Sequence, residues 1–148
     1  MDETTSTRIQ QIIDQTNHMN IATIRPDGFP QATAVSYVND GKTLFFATGA
    51  DAQKTKNISA NNKISVTINR PYETWEEISG ISLGGTATRL TDAAEIEKVT
   101  TLLFKKFPQI VNYAPDDPEE VAFFRVDPMV ISLLDYSKGF GHCDLVEV

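Results

Sequence analysis

The sequence predicts a mainly β, α+β fold, a small antiparallel β-barrel with peripheral helices. Three observations carry that expectation. Short runs of β-branched and aromatic residues alternate with polar ones, most cleanly where Ile64, Val66 and Ile68 interleave with Ser65, Thr67 and Asn69. Turn-forming clusters, Pro26 to Pro30 and Asn39-Asp40-Gly41, join consecutive runs tightly. Only three segments have a helical period, and there is no internal repeat or low-complexity tract.

An opening helix is expected from about Thr5 to Thr16, with Ile9, Ile12, Ile13 and Thr16 on one face behind Thr and Ser residues suited to capping. Met19 to Arg25 reads as a strand, and Gln31 to Val38 as the next. Asn39-Asp40-Gly41 tolerates positive φ and closes a hairpin onto Thr43 to Thr48, so three consecutive antiparallel strands are expected. Gly49 and Ala50 lead to Asp51, the expected N-cap of a short helix that ends near Asn61. The Ile64 to Asn69 strand is broken by Arg70 to Trp75. Ile78 to Leu90 reads as a long strand whose Gly84-Gly85 pair marks a bulge, a bend or close approach of a ligand. Asp92 and Glu95 form a capping box, and Ile96, Val99, Leu102, Leu103 and Lys106 mark one side of a helix that Pro108 stops. Gln109 to Glu120 reads as loop. Val121 to Val126 and Met129 to Tyr136 read as two last strands separated by Asp127-Pro128.

The 148 residues suit one domain spanning 1–148. The N-terminal MDETTSTRIQ is polar, and no apolar run is long enough to span a bilayer, so a cytoplasmic protein without a membrane partner is expected. A single cysteine, Cys143, excludes an intrachain disulfide and a cysteine-based zinc site. With only His18 and His142 as imidazoles and no ligand spacing around them, no metal site is expected. His18 reads as a surface loop residue. A formal net charge of −7 argues against nucleic acid as a partner, which clustered Lys and Arg would have to hold. Lys54, Lys56 and Lys63, followed by Arg70, form a local positive field in an otherwise acidic chain.

Lys54, Thr55 and Lys56 fall in the first turn of the short central helix. Backbone N–H groups at a helix start, with ammonium and hydroxyl donors beside them, suit a phosphate, and the same residues also suit a plain solvated surface. No Walker or Rossmann glycine pattern is present. Phe46 and Trp75 fit either core packing or contact with a flat ring, and Thr33 and Ser36 fit either ligand contact or exposed hydroxyls. Near the C-terminus, Tyr136 to His142 carries two glycines with Lys138 and His142 as possible ligand donors.

In order, the strand ATAVSY (32–37), the strand LFFAT (44–48) and the run KTKNISANNKISV (54–66) resemble the FMN-binding segment of the pyridoxamine 5'-phosphate oxidase-like split-barrel family. The resemblance implies a six-stranded antiparallel split β-barrel that forms a homodimer with two FMN sites between subunits. It implies that Thr33, Ala34, Val35 and Ser36 run beside the isoalloxazine ring. Phe46, Ala47 and Thr48 would complete the wall, and Lys54 with Thr55 would meet the phosphate. Trp75 and the Ile81 to Gly85 strand would come from the partner subunit. The chain departs from a true pyridoxamine 5'-phosphate oxidase where Gln31, Ser36 and Gln53 replace basic residues and Gly80 replaces a glutamine. It also lacks the Arg-x-His pattern near its end, so pyridoxamine phosphate is not the expected substrate.

What the resemblance implies is an FMN-dependent flavoprotein oxidoreductase acting on a small molecule. The alternatives are a non-catalytic flavin-binding or electron-carrier module, or a related barrel binding deazaflavin or haem, the last lacking a strong haem-ligand motif. A flavin carries its own redox chemistry, so no catalytic side chain needs to be visible in the sequence.

Overall fold

The structure, a computed structural model, describes residues 3–148; Met1 and Asp2 of the polar N-terminal stretch lie outside it. In chain order it contains α1 (Glu3–Gln15), β1 (His18–Ile24), β2 (Pro30–Ser36), β3 (Val38–Asp40), β4 (Thr43–Gly49), α2 (Gln53–Ala60), β5 (Lys63–Asn69), β6 (Ser79–Arg89), α3 (Ala93–Lys106), β7 (Val121–Asp135) and β8 (Cys143–Glu147). All strand pairs are antiparallel. They form one sheet in the order β2-β1-β5-β6-β7-β4-β3, with β8 beside β7. The sheet curls into a split barrel: β2 and β4 approach one another, yet no hydrogen-bond ladder joins them.

Period-two patterning selects the core. Ile21 of β1, Val66 and Ile68 of β5, Ile81 and Leu83 of β6 and Ile131 and Leu133 of β7 all point inward and are buried. The apolar face of α1 adds Ile9, Ile12 and Ile13 to that cluster, each worth about 1.5–3 kcal/mol of burial. Phe46 and Phe124 are directly opposed across β4 and β7, and their rings stack with centroids 5.2 Å apart. A second core lies between α3 and the strands it covers, where Val38, Phe45 and Leu90 meet Val99, Leu103 and Phe107.

Several expectations are corrected. The strand expected over 31–38 breaks at Tyr37. Its ring is buried, its hydroxyl donates to the Ile13 carbonyl at 2.6 Å, and its N–H donates to Asn17 at 3.3 Å. Anchoring Tyr37 to the end of α1 leaves β2 paired only with β1. The hairpin onto β4 is reduced to three pairs, Val38↔Phe45 to Asp40↔Thr43, turned by Gly41 at a φ of 60°. Three strands therefore do not run consecutively, and the other neighbour of β4 is β7.

The two strands expected on either side of Asp127-Pro128 are one, β7. Proline lacks an N–H for the ladder, but the register shifts at Gly84/Gly85, and Pro128 sits opposite Gly85. Gly85 is required there because a Cβ would run into the Asp127 carbonyl oxygen. Asp51 does not cap α2. Ala52 occupies the N-cap, and its carbonyl accepts from the N–H groups of Thr55 and Lys56. Asp92 does cap α3, accepting from Glu95 N–H at 3.0 Å, while the Glu95 carboxylate turns instead to Arg125 at 3.2 Å. β8 was not expected at all.

Candidate cofactor site

The gap between β2 and β4 is a cavity of about 470 Å³. Ala34, Val35 and Ser36 line it from β2, Ala47 and Thr48 from β4, and Lys54 from the first turn of α2. Local hydrogen bonds explain how Lys54 comes to face it. Gly49 ends β4, and its carbonyl accepts from Ala52 N–H at 3.0 Å and from the Thr55 hydroxyl at 2.7 Å. That tight turn starts α2 directly beneath the strand, so Lys54 Nζ comes within 3.4 Å of Thr48 Oγ1. On the opposite wall, Ser36 Oγ is 3.1 Å from His18 Nδ1, and the His18 ring stacks on Phe107 at 6.4 Å.

The remaining wall comes from elsewhere in the chain. Leu103 of α3, its C-cap Phe107, and Gln109, Ile110 and Tyr113 from the following 3-10 turn (Pro108–Asn112) and its end close the cavity. Lys106 ties this cover down, donating to the carbonyls of Thr16 at 2.8 Å and Tyr37 at 2.9 Å, with its ammonium 4.1 Å from the centre of the Tyr37 ring. Burial pulls its pKa down to about 8, against the opposing pull of the Asp14 carboxylate. Arg125 anchors the start of α3 through Glu95, and Lys98 reaches Asp40 at 2.6 Å.

Of the residues expected at a cofactor, the structure brings together Ala34, Val35, Ser36, Ala47, Thr48 and Lys54. Thr33, Phe46, Thr55 and Trp75 are not among the residues lining the cavity. Phe46 is in the main core. Thr55 is 3% exposed, its hydroxyl engaged with Gly49. Thr33 Oγ1 is buried without a hydrogen-bond partner among the described residues. Beside it on β2, Gln31 joins a buried network in which Asn57 Nδ2 donates to Gln31 Oε1 and to Thr23 Oγ1, both at 3.0 Å. Trp75 is 64% exposed and packs on Phe140, with ring centroids 5.6 Å apart. Phe140 in turn packs on Tyr136.

Lys138 and His142 pair with a carboxylate of β8. Both turn to Asp144, at 3.4 and 3.1 Å, and the hydrogen bond from His142 is the main cause that holds the Asp144 carboxyl below its ordinary range. His18 is the first residue of β1 and stands at the cavity through Ser36 and Phe107, which corrects its reading as a loop residue. Sequence reasoning missed the cover. Leu103 and Phe107 sit one helical turn apart and carried only a core signal, while Gln109 to Tyr113 looked like loop. Among the described residues no helix is long and apolar enough to cross a membrane.

Residues 5–135 match the pyridoxamine 5'-phosphate oxidase family. The chain belongs to that family. Solved structures with the same fold come from proteins of differing description. A heme binding protein from Mycobacterium smegmatis is 17% identical with a TM-score of 0.84, covering 99% of this chain and 59% of its own. General Stress Protein 26 from Bacillus anthracis is 19% identical at a TM-score of 0.72, covering 97% of this chain and 98% of its own. HutZ, the heme storage protein from Vibrio cholerae, is 15% identical at 0.70, covering 82% and 88%. At such identities the likeness is one of fold. A search of curated proteins found no match. The same fold thus accompanies more than one kind of described protein.

Proposed function

We propose that the chain is one FMN-binding split-barrel domain and an oxidoreductase that acts on a small molecule through the flavin, working as a homodimer with cofactor sites between subunits. The observation that carries this reading is the convergence of Ala34 to Ser36, Ala47, Thr48 and Lys54 around one cavity. They are six of the ten residues expected at a cofactor, and they come from three separate elements, β2, β4 and α2.

The donor set suits the group. Lys54 would hold the phosphate, with the Thr48 hydroxyl beside it, because charge-assisted hydrogen bonds to an anion are the strong ones. Thr55 would act through the turn, by keeping Gly49 and the start of α2 in place. Ser36 is the polar side chain that β2 offers to a flat ring in the cavity. Phe46 would support β4 from behind. When bound, the flavin supplies hydride or single-electron chemistry. The exposed Trp75 and Phe140 pair would be a seat for the partner subunit, consistent with the contribution of Trp75 from across the dimer.

Titration of the purified protein with FMN and riboflavin, followed by visible absorption and flavin fluorescence, tests this. Tight FMN binding with weak riboflavin binding is expected; no flavin binding sinks the reading. Reduction of the bound flavin by NADH or NADPH with turnover then separates an enzyme from an electron carrier.

A second reading, haem binding, is favoured by the His18 imidazole beside the cavity and by two structural relatives described as heme proteins. Hemin binding with a Soret band that shifts in His18→Ala, together with absent FMN binding, would replace flavin by haem.

A further inference from the structure

A second cavity lies against the first. It has a volume of about 290 Å³, and it shares Ala47, Thr48, Leu103, Ile110 and Tyr113 with the cavity described above. Its floor is the start of β7, where Gly49 pairs with Val121 and the Ala50 N–H continues the ladder to the Glu120 carbonyl at 2.8 Å. Its sides are Thr100 and Phe104 of α3 and the chain from Ala114 to Pro115.

The two cavities differ in charge. Lys54 faces the first, and among the described residues no lysine, arginine or histidine lines the second. The one ionisable carboxylate on the second is that of Glu120, an exposed residue. Thr100 Oγ1 is already used, donating to the Ile96 carbonyl at 2.8 Å. Thr48 Oγ1 accepts from Lys54. An anion placed against Leu103, Phe104 and Phe123, away from the shared Thr48 edge that Lys54 reaches, would lose its hydration without gaining a counter-charge, which is costly, whereas an apolar molecule would gain by leaving water. The volume stands at the lower end of small-molecule sites and suits one or two fused rings.

We infer that this chamber binds an uncharged aromatic small molecule, which makes it the substrate side of the site. The inference rests on the cofactor reading for that last role, because the shared wall of Ala47 and Thr48 is what would put the two ligands in reach of each other.

Isothermal titration with 2-naphthol and with its charged counterpart 2-naphthyl phosphate, with and without saturating FMN, tests the chamber. Thr100→Phe and Val121→Phe each fill it while leaving every residue of the first cavity unchanged. The wild-type protein is expected to bind 2-naphthol and to discriminate against the phosphate. Each folded variant should lose at least about tenfold in 2-naphthol affinity while FMN affinity holds. No 2-naphthol binding by the wild type, equal binding of the phosphate, or wild-type affinity in both variants would each overturn the inference. Chamber-dependent 2-naphthol binding in a protein that binds no FMN would uphold the chamber and strike the cofactor reading alone.

Discussion

The two walls of the candidate cofactor cavity are built differently. The strand wall of β2 and β4 is fixed by ladders to β1 and β7 and backed by the main core, with Phe46 stacked on Phe124 behind it. The cover, from Leu103 to Tyr113, is held by a smaller apolar cluster and by single polar ties at Lys106, Lys98 and Arg125. Its outer end is open to solvent, Tyr113 being 80% exposed. A backbone ladder sets positions that one substitution cannot shift, whereas a cover held by a few side chains opens at lower cost. The difference assigns preorganised binding to the strands and adaptation to the cover.

Substitutions on each wall sharpen or break that contrast. The largest expected effect is Phe46→Ala, which should cost about 3–5 kcal/mol in urea unfolding because it empties a fully buried site backed by Phe124. A loss below about 1 kcal/mol would mean that the strand wall does not depend on the core. Lys54→Ala should weaken FMN binding by about 1.5–3 kcal/mol and leave unfolding almost unchanged. Unchanged affinity would remove Lys54 from the phosphate site.

Gly85→Ala should destabilise by about 1–3 kcal/mol, since the new methyl meets the Asp127 carbonyl at the bulge that lets Pro128 pass through β7. Wild-type stability would mean that the bulge can relax.

The smallest effect is on the cover and depends on pH. Folded Lys106 loses its proton near pH 8, while in the unfolded chain it keeps it to about 10.5. Between those values the unfolded state binds more protons, so this group raises stability as pH rises from about 8 to 10.5. Burial raises the Tyr37 phenol well above its ordinary range, which lowers stability above about pH 10, where only the unfolded chain ionises. Urea midpoints measured from pH 7 to 10 should therefore rise in the wild type relative to Lys106→Met. Parallel curves would show that Lys106 does not sit desolvated against Tyr37.

How much was legible follows local signal. The period-two strands, the Gly84-Gly85 bulge, the Asp92 cap and the Pro108 stop were readable because each depends on neighbours in sequence. The break at Tyr37 was not, because Tyr37 is held by Ile13 and Asn17, some two dozen residues back along the chain. β8 was not, because five residues after the Gly139 to His142 turn are too short a signal and become a strand only beside β7. In the site, Lys54 and the two strand segments lie in one continuous stretch and could be named together. The cover could not, since a helix face of Leu103 and Phe107 has the same pattern whether it meets core or cavity.

By itself the sequence determined an antiparallel, mainly β chain with a lysine-bearing turn between two strands, through local propensity, turn chemistry and the alternation that buries one face. Only the tertiary structure decided which strands pair, that β2 and β4 stay apart to leave a cavity, and that a helix from the far half of the chain roofs it. Those outcomes depend on contacts between residues distant in sequence, where the same apolar pattern is compatible with many partners and only packing selects one.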